Sequence, residues 1–591
     1  MMNPRALLKR HSAACALLAV LAAAVAAPYL LPENPDSAVF RSGALAALLL
    51  AAAIAPVRRA FAQADGRALR YGFFFALVFS LCLGAGMELT AYDQLLPGMG
   101  SLIRRLAVPL LATPALGALA SALFSRRVPA PAQPRCELPY IAYFLLFSFC
   151  YGAVLLALFP SVIAYDFMHE IAQFQSGAYD AAHPVFHTML LGSLYALGES
   201  LFGTMTAGAA LYSAVQLLLL AAMYAGAMVF VQRRAQSRVA VAALAACFAL
   251  LPFHGVLAVS TAKDPLFAGL CVLLCVQLWA VAEAPDAFLA SRKRMAGFAL
   301  TCLCLALLRH NGVFAFVPAC AAVLLLCRGA RRRAALLCAA SLALCALIPY
   351  GLETAVHATK IPFSELMSVP CQMLLRTASR AELESEEYAE LSAWFSDQVD
   401  RYRPHCADPA KGGNFTFSRY QADSGAFWRM ALRYVSAHPR IAVEAFLENT
   451  AGIWNPGDTS HAHALSTEEY DFIYLNTAYV FDADAYDIAP RSLLPGLHRL
   501  LYRSTHYAEH ERIPFLAQLF CPAVYSFGLL LATLLLRYKR RGPLALCALP
   551  VWGIFLSLLF SAGIFVRYAY PLMAAVPVLL CLAFSTEARG T

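Results

Sequence analysis

Charge is scarce in this chain. Only 14% of its 591 residues are Asp, Glu, Lys or Arg, against roughly 25% in a soluble domain. That shortage excludes an ordinary water-soluble globule. Strand-like alternation is weak and no internal repeat recurs at a fixed period, so neither a strand-built domain nor a repeat array is expected. No CxxC pair with metal spacing lies outside the apolar runs. Most of the 18 cysteines sit singly inside those runs, as small hydrophobes do. Cys371 and Cys406 are exceptions that could pair in an oxidising compartment, and their spacing does not decide it.

What the chain does have is apolar length. Hydrophobic residues make up 61% of it, in windows that reach the roughly 20 residues a spanning helix needs. Long apolar runs in lipid mean helices, because a helix satisfies its own backbone. Spans are expected near 13–31, 38–56, 70–90, 106–124, 138–160, 208–231, 238–257, 264–282, 295–309, 312–327, 334–350, 514–537, 543–561 and 567–584. The first follows Arg5, Lys9 and Arg10 and reads as a retained signal-anchor helix. The expected fold is an all-α polytopic membrane protein of about 14 transmembrane helices. Its parts are an N-terminal four-helix region (1–137), a membrane module (138–350) with a first external loop at 161–207, an external mostly α domain (351–513) and three C-terminal spans (514–591).

Charge of the two signs is segregated. Residues 351–513 hold 22 of the 36 acids but 14 of the 45 bases, so this block is at −8 and the remainder at +17. Such asymmetry points away from nucleic acid and towards basic cytoplasmic loops facing an acidic external domain. With the N-terminus inside, Arg58-Arg59, Arg126-Arg127, Arg233-Arg234, Arg292-Lys293-Arg294, Arg331-Arg332-Arg333 and Lys539-Arg540-Arg541 all fall on the cytoplasmic side. Arg104-Arg105 is the exception, placed to snorkel outside. This agreement requires that Val185–Phe202 does not cross, so that segment reads as an interfacial or re-entrant helix.

The same topology gathers several polar islands on the outer face. They are Tyr165-Asp166 with His169-Glu170, His183-Pro184-Val185-Phe186-His187, Lys263-Asp264, Arg309-His310-Asn311 and Arg567-Tyr568. Charge beside a bilayer is costly unless it has a task. Asp166 reads as a base or a helix cap, with Glu170 one turn on. His183 and His187, four apart, would share a helix face, with His183 as a cap before Pro184. Lys263 and Asp264 read as a local ion pair or a phosphate site. Arg309 wants an anion, either phosphate or a carboxylate such as Asp264. Paired carboxylates beside histidines can also take Mg or Mn, although no strict ligand spacing is present. In the acidic block, Ala381–Trp394, Ala426–Tyr434 and Pro439–Leu447 read as helices. His461 and His463 there read as solvated loop residues or a metal pair.

An acid just after a span, followed by a His-Pro that opens a juxtamembrane helix, resembles the GT-C glycosyltransferase superfamily. The ordered motifs HPVFHT (183–188), KDPLF (263–267), LRHNG (308–312), SVPCQ (368–372), ADPAK (407–411), NTAGIWNP (449–456) and RYAYP (567–571) are similar to the bacterial domain-of-unknown-function family DUF6020. The GT-C likeness implies transfer of a sugar from a polyprenyl-phosphate donor to a polysaccharide, lipid or protein acceptor at the outer face of the plasma membrane. Asp166 and Glu170 would then act on the acceptor hydroxyl. His183, His187, Lys263, Asp264, Arg309, Arg567 and Tyr568 would hold donor or phosphate. Gln372, Arg376, Asp408 and Lys411 would meet the acceptor. Many GT-C enzymes carry a longer acidic motif than the one here. A transporter or flippase, a surface-polysaccharide polymerase and an assembly protein are the competing classes. Ion-coupled transport is disfavoured because the spans carry almost no mid-helix charge, Glu88 and Glu199 lying near ends.

Overall fold

The computed structural model describes residues 8–30, 43–63, 65–125, 137–164, 166–360, 367–396, 402–411, 414–457, 488–505 and 516–587. Among these, helix dominates and pairing of extended chain is confined to two isolated parallel bridges. The helices used below are α1 (Ser12–Leu30), α2 (Gly43–Gln63), α3 (Gly66–Tyr92), α4 (Met99–Ser125), α5 (Tyr140–Ala157), α6 (Phe167–Ser176) and α7 (Val185–Phe202). They continue with α8 (Met205–Gln232), α9 (Arg238–Leu250), α10 (Pro252–Ala258), α11 (Asp264–Glu283), α12 (Arg292–Leu308), α13 (Val313–Leu326) and α14 (Arg331–Ala355). The remainder are α15 (Ser368–Arg380), α16 (Ser385–Ser392), α17 (Ser424–Ala437), α18 (Pro439–Trp454), α19 (Pro522–Tyr538), α20 (Leu549–Leu558) and α21 (Val566–Ser585).

Helix ends follow local chemistry. Asp65, Thr204, Ser237 and Asp423 each accept a hydrogen bond from an orphan N–H in the first turn of α3, α8, α9 and α17. Gly177 and Gly203 end α6 and α7 with φ of 70° and 72°, a region that costs a side chain energy. Pro252 cannot continue the ladder of α9, and the chain bends by 50° there before α10.

Among the described residues, seven helices are long and apolar enough to cross a membrane: α3, α4, α5, α8, α11, Arg328–Ala355 and α21. The bent pair α9–α10 makes an eighth if it counts as one span, and Ser12–Ala27, His310–Leu326, Pro522–Tyr538 and Gly542–Leu558 are shorter apolar helices. This is a multi-pass membrane protein. The segment Val185–Phe202 forms α7 but is not among the seven. Burial ranks the helices: 78% of the apolar window of α21 and 72% of that of α11 are inside the protein, against 17% for Arg328–Ala355. Thus α11 and α21 are the axis of the bundle, and α14 forms an outer wall. Helix α7 lies on α8 through Gly198 and Gly208. A Cβ on either would collide with the backbone opposite, the small-residue contact usual between apolar helices.

Several expectations change at this level. The acidic helix at 381–394 is shorter, Ser385–Ser392, because a capping box between Glu384 and Glu387 starts it late. The segments at 426–434 and 439–447 extend to Ser424–Ala437 and Pro439–Trp454. Arg105 does not reach for the interface; its Nε lies 2.7 Å from the Glu88 carboxylate. A separate apolar core gathers Met367, Leu374, Trp394, Phe415, Phe427 and Tyr434. Cys371 and Cys406 are both buried and free, so no disulfide joins them. His461 and His463 lie outside the described residues.

The bundle has two chemically distinct ends. Arg234 at the end of α8 binds Glu283 at the end of α11 at 2.6 Å. At that same end of α21, Lys539 donates to the carbonyls of Ala583, Phe584 and Thr586 at 2.9, 2.9 and 2.7 Å. An ammonium on the free carbonyls of a helix C-terminus satisfies them and opposes the helix dipole. Replacing Lys539 with Ala should cost on the order of 2 kcal/mol and lower the melting temperature in detergent. An unchanged melting temperature would show that those carbonyls have other donors.

Candidate active site

The opposite end carries the polar islands, and backbone pairing sets their registration. Between α5 and α6, Val162 pairs with the stretch after α10. Its N–H donates to Val259 O at 3.1 Å and its carbonyl accepts from Thr261 N–H at 2.9 Å. Thr261 Oγ1 accepts from Ala164 N–H at 2.8 Å, and Ser161 Oγ donates to Val259 O at 3.0 Å. From α8, Gln216 Nε2 donates to Ser260 O at 2.5 Å, with the carbonyls of Leu257 and Ala258 also within reach. The clamp holds the residues leading to Asp166 against those leading to Lys263.

Lys263 then enters a cage. Its Nζ lies 3.0 Å from Asp166 Oδ2, 3.2 Å from Glu170 Oε1 and 3.1 Å from His183 Nδ1. Arg567, from the start of α21, adds a contact at 3.3 Å to the same Asp166 oxygen. The other Glu170 oxygen meets His187 Nδ1 at 2.5 Å, and His187 Nε2 meets Tyr212 OH at 2.8 Å. Tyr212 O–H donates to Gln216 Oε1 at 3.0 Å, so its oxygen accepts from His187 and both ring nitrogens are placed as donors. Glu170 and His187 are almost wholly enclosed, at 2% and 1% side-chain exposure, whereas Asp166 keeps 16%. Asp166 is therefore the carboxylate open to a ligand.

A second arm continues from Arg567. Its guanidinium donates to Tyr568 OH at 3.2 Å and lies 4.9 Å from that ring; Arg309 lies 5.0 Å from the same ring. Tyr568 thus bridges two cations. Arg309 binds Asp264 and donates to Asn311 Oδ1 at 3.1 Å. Six segments of the chain, at 166–170, 183–187, 212–216, 263–264, 309–311 and 567–568, join in one network.

Electrostatics follow from burial and neighbours. Burial opposes charge on Asp166, but Arg567 and Lys263 outweigh it and hold its carboxyl well below the usual range. Burial also opposes charge on Glu170, yet His187 and Lys263 bring its pKa down to about 2. Burial, reinforced by Lys263, pushes His183 down to about 4, so its imidazole is neutral at pH 7 and accepts from the ammonium.

Two expectations need correction here. Pro184, not His183, occupies the cap position of α7, so His183 and His187 do not share a helix face. They reach the cage from loop and first turn respectively. Lys263 and Asp264 do not pair with each other, since Lys263 turns to Asp166 and Asp264 to Arg309. Tyr212, Gln216 and Thr261 were not anticipated as part of the site. Tyr212 and Gln216, four apart in an apolar span, were the available signal.

The four remaining candidates lie in a different network. Arg376 is fully buried and binds Glu448 Oε2 at 2.6 Å, Glu444 Oε2 at 3.2 Å, Asp93 O at 2.5 Å and Tyr402 OH at 3.0 Å. It joins α15 and α18 to the end of α3. Burial pushes Glu448 up to about 7 although Arg376 opposes this. Gln372 donates to Arg403 O at 2.6 Å, and Lys411 pairs with Asp408 at 3.3 Å within one turn. This body touches the site's support. Asn449 donates to Ser561 O at 3.0 Å and Ala407 N–H to Ala562 O at 2.6 Å, in the loop just before α21 and Arg567.

Fold and cluster together define a multi-pass membrane protein with a charged centre at one end of its helix bundle. Residues 144–591 match the model described as "Family of unknown function (DUF6020)", and the chain belongs to that family. The match begins within α5, so α1–α4 precede it. No curated protein and no solved structure matches the chain.

The cage carries a pH signature. His183 is depressed from 6.5 to about 4, so its contribution to stability is present above pH 6.5 and is lost as pH falls towards 4. Glu170, depressed from 4.5 to about 2, loses its contribution below that window, between pH 4.5 and 2. The melting temperature should therefore fall between pH 6.5 and 4, and His183→Asn should flatten that limb. Parallel curves for the two proteins would contradict the assignment.

Proposed function

We propose that this chain is a GT-C-type glycosyltransferase that moves a sugar from a polyprenyl-phosphate donor to a cell-envelope acceptor. In this reading about 14 helices span the bacterial plasma membrane, the N-terminus is cytoplasmic and residues 351–513 are extracytoplasmic. The cage and the Arg309–Arg567 pair then face outward, and α7 lies at the interface.

The observation that carries the reading is the arrangement at Asp166. A partly open carboxylate is held ionised by Lys263 and Arg567, beside a tyrosine flanked by two guanidiniums. Guanidiniums suit a phosphate by charge and by their planar fork.

The chemistry follows. An acceptor hydroxyl attacks the anomeric carbon, the C–O bond to phosphate breaks, Asp166 takes the hydroxyl proton, and polyprenyl phosphate leaves with its charge met by Arg567 and Arg309. A carboxylate bound by two cations is a weak base. Donor phosphate competes for those cations, and drawing Arg567 away raises the basicity of Asp166. Base strength is thereby tied to donor occupancy.

The competing reading is a flippase or envelope-assembly protein that uses the same cations to hold a lipid phosphate without transfer. Purified protein with polyprenyl-phosphate sugars separates the two. Asp166→Asn should lower turnover at least ~10²-fold while leaving donor binding in place, and Arg567→Ala should weaken donor binding. Transfer at the wild-type rate by Asp166→Asn removes it as base. Donor binding with no turnover by the wild type favours the flippase.

A further inference from the structure

The cage around Lys263 has the make-up of a metal centre. Asp166, Glu170 and His183 each present one ligand atom, and the three atoms lie within 4.8 Å of one another. Two carboxylate oxygens and one imidazole nitrogen form a donor set that suits a divalent transition ion. The cage comes from separate parts of the chain. Asp166 immediately precedes α6, Glu170 lies in its first turn, and His183 precedes α7.

The three donors converge on one point, with Nδ1 of His183 turned inward to it. Yet the centre is filled from within, because Nζ of Lys263 touches all three at 3.0–3.2 Å. A divalent ion would need the donors at about 2.0–2.2 Å, and it would meet the ammonium at the same point. The ammonium and a metal exclude each other on both space and charge.

We propose that Lys263 is a built-in replacement for a divalent cation: its ammonium is the resident cation of a two-carboxylate, one-imidazole cage. The native site then works without metal, and removing the ammonium uncovers a metal site. Lys263 is a fixed charge that cannot be lost to a chelator. What the charge does for transfer rests on the proposed function above, whereas the cage itself stands on its geometry.

The test reads metal occupancy with no sugar donor present, so it succeeds or fails independently of transfer. Mn²⁺ is titrated into the purified full chain and followed by electron paramagnetic resonance. Wild type should show no Mn²⁺ bound through these residues. Lys263→Ala should bind one Mn²⁺ per chain, with hyperfine coupling to an imidazole nitrogen, and Mn²⁺ should raise its melting temperature. Adding Asp166→Asn or His183→Ala to that variant should weaken binding at least ~10-fold, a loss of about 1.4 kcal/mol. Wild-type binding of Mn²⁺ that disappears on Asp166→Asn would overturn the proposal, and this arm does not depend on any Lys263 variant folding. A folded Lys263→Ala protein that ignores Mn²⁺ would also overturn it.

Discussion

The structure of this protein turns on one buried ammonium. Lys263 sits among Asp166, Glu170 and His183 at 7% side-chain exposure. A charge withdrawn from water is tolerated only when partners meet it closely, and losing one partner leaves the rest uncompensated. That demand ties the loop after α5, the first turn of α6, the entry to α7 and the start of α11 to one point. Arg567 extends the demand to α21, the most enclosed of the seven candidate spans. The ammonium therefore organises the ends, at one side of the bundle, of helices far apart in sequence.

Much of this was legible in the residues. A chain poor in charge that keeps Asp166, Lys263, Arg309 and Arg567 at the borders of apolar runs has reason to bring them together. The apolar runs themselves announced the helices, and α7 forms where the segment at 185–202 was expected. Pairing was not legible. Lys263 and Asp264 are neighbours in sequence and look like a local pair, but successive residues at a helix start point in different directions. Their side chains thus join separate arms of the network. Tyr212 and Gln216 were hidden for another reason: a hydroxyl and an amide in an apolar span carry no net charge to stand out.

The acidic segment shows where motif reading ends. Arg376 invited a substrate role because of its place near a motif, yet full burial and four polar partners make it a brace between α15, α18 and the end of α3. Gln372 likewise spends its amide on a backbone carbonyl. Asn449 and Ala407 grip the turn ahead of α21 through its backbone. The acidic segment shares with the site a set of supports rather than a surface.

The two hydrogen bonds that Val162 makes with Val259 and Thr261 use main-chain groups alone. Main-chain hydrogen bonds are indifferent to which side chains ride on them. Relatives of this protein are thus free to change the side chains of Val162 and Val259 while keeping the charged end in register. A search keyed to residue identity would pass over the very segment that aligns the charges, and only the chain's path through space would reveal kinship there.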